Sequence, residues 1–321
     1  MRAATSTSVP VRKNTSYVSL FRKDFSKNWM LFLMCVPAIL FFLLFSYIPM
    51  PGVYLAFVRY NYADGIFKSP FIGLENFRFL WLSGDLWRIT RNTLLYNIAF
   101  ILLGNTVQIT VAVLMNELRS QWFRKTSQTL MFLPFFISYV LVGLFVYNFL
   151  SFEYGTLNSI LRSLGREPVE TYSNPAIWKY VIVLTHIWKN TGYGSIVYFA
   201  AIMGLDPEMY EAAEIDGASA WQRIRYITLP CLRPTFVILL LFALGGILKG
   251  NFDLFYNLVG SNTRLYPTTD IIETFVFRSM IVSFNFSSAA AVGFYQSIFG
   301  FLLVMTVNWI VRKIEPDYAL F

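Results

Sequence analysis

Apolar residues along this chain gather in long runs separated by shorter polar stretches. This is neither the alternation of strands nor the one-sided stripe of soluble helices. A helix needs about 20 apolar residues to cross the hydrocarbon core of a bilayer. Six segments meet that length, at about 29–50, 93–115, 127–150, 178–205, 234–259 and 289–311. The pattern predicts an all-α integral membrane protein: a tail at 1–28, a six-span domain at 29–311 and a tail at 312–321. The fourth span contains Lys189 and the fifth contains Lys249 and Asp253, so these two are the least clean. The connections at 51–92 and 260–288 are long enough to hold short helices lying along a surface. In the first, Phe71-Ile72-Gly73-Leu74-Glu75-Asn76-Phe77 reads as a turn followed by an amphipathic stretch.

Composition supports the membrane reading. Charged residues make up 14% of the 321 positions, against about 25% in soluble domains. The aromatic share of 18% suits a chain whose Trp and Tyr gather at bilayer interfaces. Residues 28–58 carry no Asp, Glu, Lys or Arg, which is too long for the apolar core of a signal peptide and implies a retained span. The net charge of +8 follows membrane orientation rather than a nucleic-acid surface. With the N-terminus inside, the inner segments hold 14 Lys and Arg and the outer connections 11, and six of the 14 lie in the N-terminal tail. That tail usually dominates orientation, so both termini are read as cytoplasmic. The first 15 or so residues are rich in Ser and Thr and read as disordered.

Chemistry of its own is sparse in the chain. Cys35 and Cys231 are far apart and fit neither a disulfide nor a metal site, and His186 is the single histidine. No phosphate-cradling Gly-rich Lys-Ser/Thr loop is present, so ATP is not bound by that route.

The stretch 206–230 between the fourth and fifth spans is polar and ordered in pattern. Asp206 is an N-cap candidate, and Pro207 suits the first helical position. Glu208 and Glu211 sit near the positive helix end. Ala212 and Ala213 are small enough for a partner surface to approach the backbone, and Gly217 can break the helix with a positive φ. A second short helix is expected from about 220 to 226, with Pro230 and Pro234 closing the loop. The result is a helix-turn-helix that projects from the membrane. A solvated connection between spans would look similar residue by residue.

The full spacing separates the two readings. Glu211-Ala212-Ala213, three residues, Gly217, nine residues, Ile227-x-Leu229-Pro230 resembles the cytoplasmic loop of permease subunits in binding-protein-dependent ABC importers. Further stretches carry the likeness: Tyr47-Ile48-Pro49-Met50, the Phe71–Phe77 segment, Asn92-Thr93-Leu94 and Leu133-Pro134-Phe135-Phe136-Ile137-Ser138. Phe284-Asn285-Phe286-Ser287, Ala291-Val292-Gly293, Asn308-Trp309 and Arg312-Lys313 extend it to the end of the chain. From about residue 28 onward the chain is similar to type I ABC importer permeases of the carbohydrate-uptake kind, related to the maltose permease. More narrowly, it resembles LplB-type polysaccharide or oligosaccharide permeases, of which the alginate importer has one.

The resemblance implies a six-helix permease fold in a bacterial cytoplasmic membrane. It implies a second homologous permease, two ATP-binding subunits and an extracytoplasmic solute-binding protein. ATP and Mg belong to the partner ATPase, and no cofactor to this chain. Glu211, Ala212, Ala213, Glu214, Asp216 and Gly217, with Ile227, Leu229 and Pro230, would couple to that ATPase.

Sugars are gripped by aromatic faces and by amides or charges. The third span offers Tyr139, Tyr147 and Asn148, and the fourth His186, Lys189, Asn190 and Tyr193. The fifth offers Lys249, Asn251, Asp253, Tyr256 and Asn257. Lys189 and Lys249 each stand 16 residues beyond the inner boundary positions Leu205 and Arg233, about 24 Å at ~1.5 Å per residue. Two level lysines would attract an acidic sugar, alginate being one example. The alternatives are that they snorkel to the outer interface, or that Lys249 pairs with Asp253. The aromatics are more often packing or interface anchors.

The main rival is an ion-coupled secondary transporter, which would carry mid-membrane carboxylates and internal repeats. Asp253 is the one acidic candidate and no repeat is visible. A membrane enzyme would need a catalytic constellation, and a channel a filter or charge ring. The pattern contains neither.

Overall fold

The computed structural model describes residues 25–314. Residues 1–24 and 315–321, and with them most of the expected tails, lie outside the described residues. Among the described residues the chain is helical almost throughout, and the one β feature is an isolated bridge between Val58 and Phe71.

The described residues fall into two units, divided between Val53 and Tyr54. In the first, α1 (Trp29–Phe42) continues through a π turn at Leu43–Tyr47. It is apolar all round, as a lipid-facing helix is.

The second unit begins its long helices with α2 (Asp85–Glu117), α3 (Gln121–Phe136), α4 (Tyr139–Leu150) and α5 (Pro175–Met203). The polar loop holds α6 (Pro207–Ile215) and α7 (Ala220–Arg223), followed by α8 (Leu229–Gly245) and α9 (Phe252–Val259). Last come α10 (Ile272–Ile281) and α11 (Phe286–Ile314). Short helices occupy the long connections, among them Glu75–Leu82 after a turn in which Gly73 has φ +60°, as the Phe71–Phe77 pattern anticipates.

Four helical stretches, Trp29–Phe57, Asp85–Glu117, Ala220–Gly245 and Phe286–Lys313, have the length and composition to cross a membrane. The pair α3 and α4, bent by 97°, forms a fifth, broken one. Helix α5 has 29 residues and is not among these; it carries the polar Thr185, Lys189 and Ser195, buried inside the protein.

Two expected spans need correction. The third is not one helix: it breaks at Ile137, and Ser138 caps α4 by accepting a hydrogen bond from the Leu141 N–H at 3.4 Å. The fifth is neither continuous to residue 259 nor separate from the loop. It starts at Ala220, stops at Gly245 and resumes at Phe252. A π turn at Ile224–Thr228 joins α7 to α8, with the Leu229 N–H bonded to the Ile224 carbonyl. The wider turn accommodates Pro230, whose ring would clash in a regular helix and which has no N–H to donate. The prolines therefore do not close a loop here.

Helix α2 packs most extensively on α5. Tyr96, Phe100, Trp178 and Ile182 from this pair meet Leu254, Phe255 and Leu258 of α9 in one buried cluster. Gly192 is a close-approach position: a Cβ there would run into the backbone of Met131 on α3. At one end of the bundle the fully buried Asp270 carboxylate pairs with Arg88 at 3.3 Å and Arg278 at 2.7 Å.

Candidate functional site

The loop at 206–230 is built from local capping chemistry. Asp206 accepts a hydrogen bond from the Glu208 N–H at 3.0 Å, and Pro207 opens α6. Gly217, at φ +76°, ends it. The Ala218 N–H bonds the Ala213 carbonyl at 2.9 Å and the Gly217 N–H bonds the Glu214 carbonyl at 3.0 Å, a Schellman closure. Ser219 and Gln222 then form a capping box for α7.

Long-range contacts fix the hairpin to the spans. The Tyr210 hydroxyl lies 3.0 Å from the Thr228 hydroxyl, and Arg223 pairs with Glu214. Arg223 also reaches Glu117, at the end of α2, at 4.0 Å. Glu211, Ala212, Glu214, Asp216 and Gly217 are exposed, and Ala213 is half-buried. Of the downstream motif residues, Ile227 is half-buried while Leu229 and Pro230 are exposed. Ile215, Trp221 and Tyr226 present large apolar surface beside them, Ile215 being 86% exposed. A rigid hairpin with acidic, small and apolar groups outward is suited to docking a partner surface.

The break in the fifth span lines a cavity of about 570 Å³. Backbone outside a helix at membrane depth must have its polar groups satisfied by protein or by a water-filled cavity. Three side chains from other helices do so here. The Asn97 amide donates to the Ile247 carbonyl at 2.8 Å and the Lys249 carbonyl at 3.2 Å. The Gln296 amide donates to the Leu248 carbonyl at 2.7 Å. Glu273 Oε1 accepts from the Gly250 N–H at 2.7 Å and from Gln296 at 2.8 Å, while its Oε2 is buried without a partner. Asn251 caps α9, and its amide donates to the Tyr139 hydroxyl at 2.9 Å.

Of the sequence candidates, Lys249, Asn251 and Asp253 line this cavity together with His186, which stacks on Phe100 at 3.8 Å. The ammonium of the exposed Lys249 makes no ion pair among the described residues, with Asp253 or otherwise. The height estimate for Lys249 fails because the helix ends at Gly245.

Lys189 does something else. It is buried, and its ammonium donates to the carbonyls of Pro134, Phe135 and Ile137 at 3.1, 2.9 and 2.5 Å. It thus caps the broken end of α3, where orphan carbonyls attract a cation. Tyr193 stacks on Phe135 at 4.6 Å and Tyr147 meets Tyr172 edge-on at 5.6 Å. Tyr256 stacks on Phe252 at 5.1 Å. The amides of Asn148, Asn190 and Asn257 each donate to the carbonyl four residues back on their own helix.

Asn97, Glu273 and Gln296 escape sequence reasoning. Only the glycines at 245, 246 and 250 mark the break they support.

Several membrane-length helices, an exposed helical hairpin between two of the long helices and a broken helix beside a cavity together describe a transport component. Residues 101–318 match the family described as binding-protein-dependent transport system inner membrane component. The chain belongs to that family. This inner-membrane component is 32% identical over 305 residues to protein LplB of Bacillus subtilis (strain 168), covering 95% of this chain and 94% of that one. Its fold superposes on a bacterial ABC transporter involved in the import of the acidic polysaccharide alginate, with TM-score 0.83 and 35% identity. That match covers 92% of this chain and 99% of the other. A second structure is the bacterial alginate ABC transporter in complex with an alginate pentasaccharide-bound periplasmic protein. It matches with TM-score 0.82 and 36% identity, covering 91% and 97%. The likeness identifies the type I ABC importer permease fold.

Proposed function

We propose that this chain is one of two pore-forming subunits of an ATP-driven importer. It passes an oligosaccharide or polysaccharide across the cytoplasmic membrane by alternating access. An extracytoplasmic solute-binding protein delivers the sugar. Two ATPase subunits, which hold ATP and Mg, dock on the 206–230 hairpin and on its counterpart in a second permease. Both termini and the hairpin face the cytoplasm.

The observation that carries the reading is the hairpin. Its Schellman turn, capping box and Glu214–Arg223 pair make it a rigid, outward-facing unit continuous with the fifth span. The exposed acidic, small and apolar residues it carries are the groups a partner surface would meet. The alginate transporters among the structural neighbours support an acidic sugar as cargo. The unpaired Lys249 ammonium offers such a cargo its cation, and Asn251 and Asp253 face its hydroxyls.

The test is purification of the tagged chain from its own membrane in mild detergent, followed by reconstitution. Recovery of an ATPase and a second permease, with uptake abolished by Glu211→Lys at normal membrane insertion, is the expected result. A chain recovered alone that transports without ATP would overturn the reading in favour of a secondary transporter.

A further inference from the structure

Helices α2 and α5 leave a groove of about 650 Å³ between them, away from the residues of the cavity beside the broken fifth span. Its walls are apolar: Leu95, Ala99 and Leu103 follow one another at four-residue spacing on α2, facing Val183, Leu184 and Ile187 of α5. Leu95 and Leu184 are 58% and 66% exposed. At one end stand Arg91 and Lys179, both exposed, with Tyr180 beside them, and no acidic residue lines the groove.

The two cations stand at one depth. Arg91 lies 26 positions before Glu117, the end of α2 tied to the hairpin, and Lys179 lies 24 before Met203. At ~1.5 Å per residue these are about 39 and 36 Å from the hairpin end. The hydrocarbon core is about 30 Å thick, so both cations reach the opposite headgroup layer. Tyr180 is the interfacial aromatic expected there. From Arg91 to Leu103 the groove descends 12 positions, about 18 Å, which is the depth of one leaflet (about 15 Å) and a little more.

The other polar groups at that end are already committed. The Asn92 amide donates to the carbonyls of Pro267 and Asp270, the Tyr96 hydroxyl to the Thr268 carbonyl, and the Thr268 hydroxyl to the Pro175 carbonyl. Neither Arg91 nor Lys179 makes an ion pair among the described residues; Lys179 only approaches the Tyr180 ring, at 5.7 Å. Two uncommitted cations over a leaflet-deep apolar trough complement one phosphate carrying an acyl chain.

We propose that this groove holds an anionic phospholipid, its phosphate between Arg91 and Lys179 and one acyl chain along Leu95, Ala99, Leu103, Leu184 and Ile187. A zwitterionic lipid presents a compensating cation of its own and gains less from the pair. On the orientation proposed above, the lipid belongs to the outer leaflet. The binding itself does not depend on what is transported, so its test stands apart from the importer reading.

The test is native mass spectrometry of the purified assembly titrated with phosphatidylglycerol or phosphatidylcholine. One phosphatidylglycerol should be retained in preference to phosphatidylcholine. Arg91→Gln with Lys179→Gln should weaken that retention about thirtyfold, roughly fivefold per cation. Ala99→Trp, which fills the trough and leaves the charges, should abolish it. Equal retention of the two lipids, or retention unchanged in both variants, would overturn the proposal. So would cross-linking of a cysteine introduced at Leu95 to another subunit of the assembly rather than to a photoactivatable phosphatidylglycerol.

Discussion

Removing the Lys189 ammonium separates a structural cation from a substrate-reading one. Lys189→Met keeps most of the volume and apolar stem but leaves the carbonyls of Phe135 and Ile137 without their donor, while that of Pro134 keeps the Ile137 N–H at 3.2 Å. A buried polar group left unsatisfied costs about 1–3 kcal/mol. Two such groups set an upper range of roughly 2–6 kcal/mol. The variant no longer buries a charge, which recovers several kcal/mol of desolvation. Water entering at the α3–α4 break lowers the cost further. The net expectation is a loss of about 3 kcal/mol, close to that for breaking a buried ion pair. Reversible unfolding in mixed sodium dodecyl sulfate and dodecyl maltoside micelles, followed by tryptophan fluorescence, measures it. Lys189→Arg should fall between the two, since a guanidinium donates but fits the three-carbonyl site less compactly. Uptake of neutral and acidic sugars should decline in parallel. A stability change below about 0.5 kcal/mol, with loss confined to acidic sugars, would refute this account and return Lys189 to the substrate path.

Lys249→Met should show the opposite profile. Its ammonium is exposed and without an ion pair, so stability should hold within ~0.5 kcal/mol while the KM for an acidic oligosaccharide rises several-fold; equal effects on a neutral sugar would discard the charge argument. Asp270→Ala leaves the partly exposed Arg278 without its carboxylate while Arg88 keeps Asp85, and should cost about 3 kcal/mol, the low end for a broken buried pair, in the same unfolding assay; a near-neutral result would mean that water or the partner solvates the Arg278 guanidinium. Glu273→Ala should impair uptake and speed amide exchange at Gly250, whereas Glu273→Gln, which keeps an acceptor oxygen, should retain both near normal. Identical behaviour of the two variants would show that Glu273 does not hold the break.

The hairpin was legible because its determinants are local. Asp206 to Glu208, Gly217 to Glu214 and Ser219 to Gln222 all act within a few residues, and helix caps are written at that range. Four long apolar helices were legible from hydropathy for the same reason. The two interruptions were not. Apolar residues run on through Phe135-Phe136-Ile137 and through Ile247-Leu248, so a hydropathy window sees no gap. What stabilises each break comes from far along the chain: Lys189, more than 50 residues from the carbonyls it caps, and Asn97, about 150 from those it reaches. Glycines 245, 246 and 250 permit the second break but do not announce it. Lys189 shows the same limit at one residue. A lysine in an apolar run reads as a cavity or interface group, and only the bend of α3 against α4 reveals the carbonyls that need it.

On the proposed coupling role, the stretch Ala220–Gly245 has the geometry of a lever arm. Its 26 residues span about 39 Å at ~1.5 Å per residue. Pivoting the hairpin end by about 10° would sweep the far tip through roughly 7 Å over that length. The tip is where the helix stops and the cavity lining begins. A modest rotation imposed at the hairpin is therefore magnified where Lys249 and Asn251 stand. A hinge placed lower, at Pro230 or Pro234, would absorb the stroke instead; the π turn at Ile224–Thr228 carries the helix past Pro230 without a break.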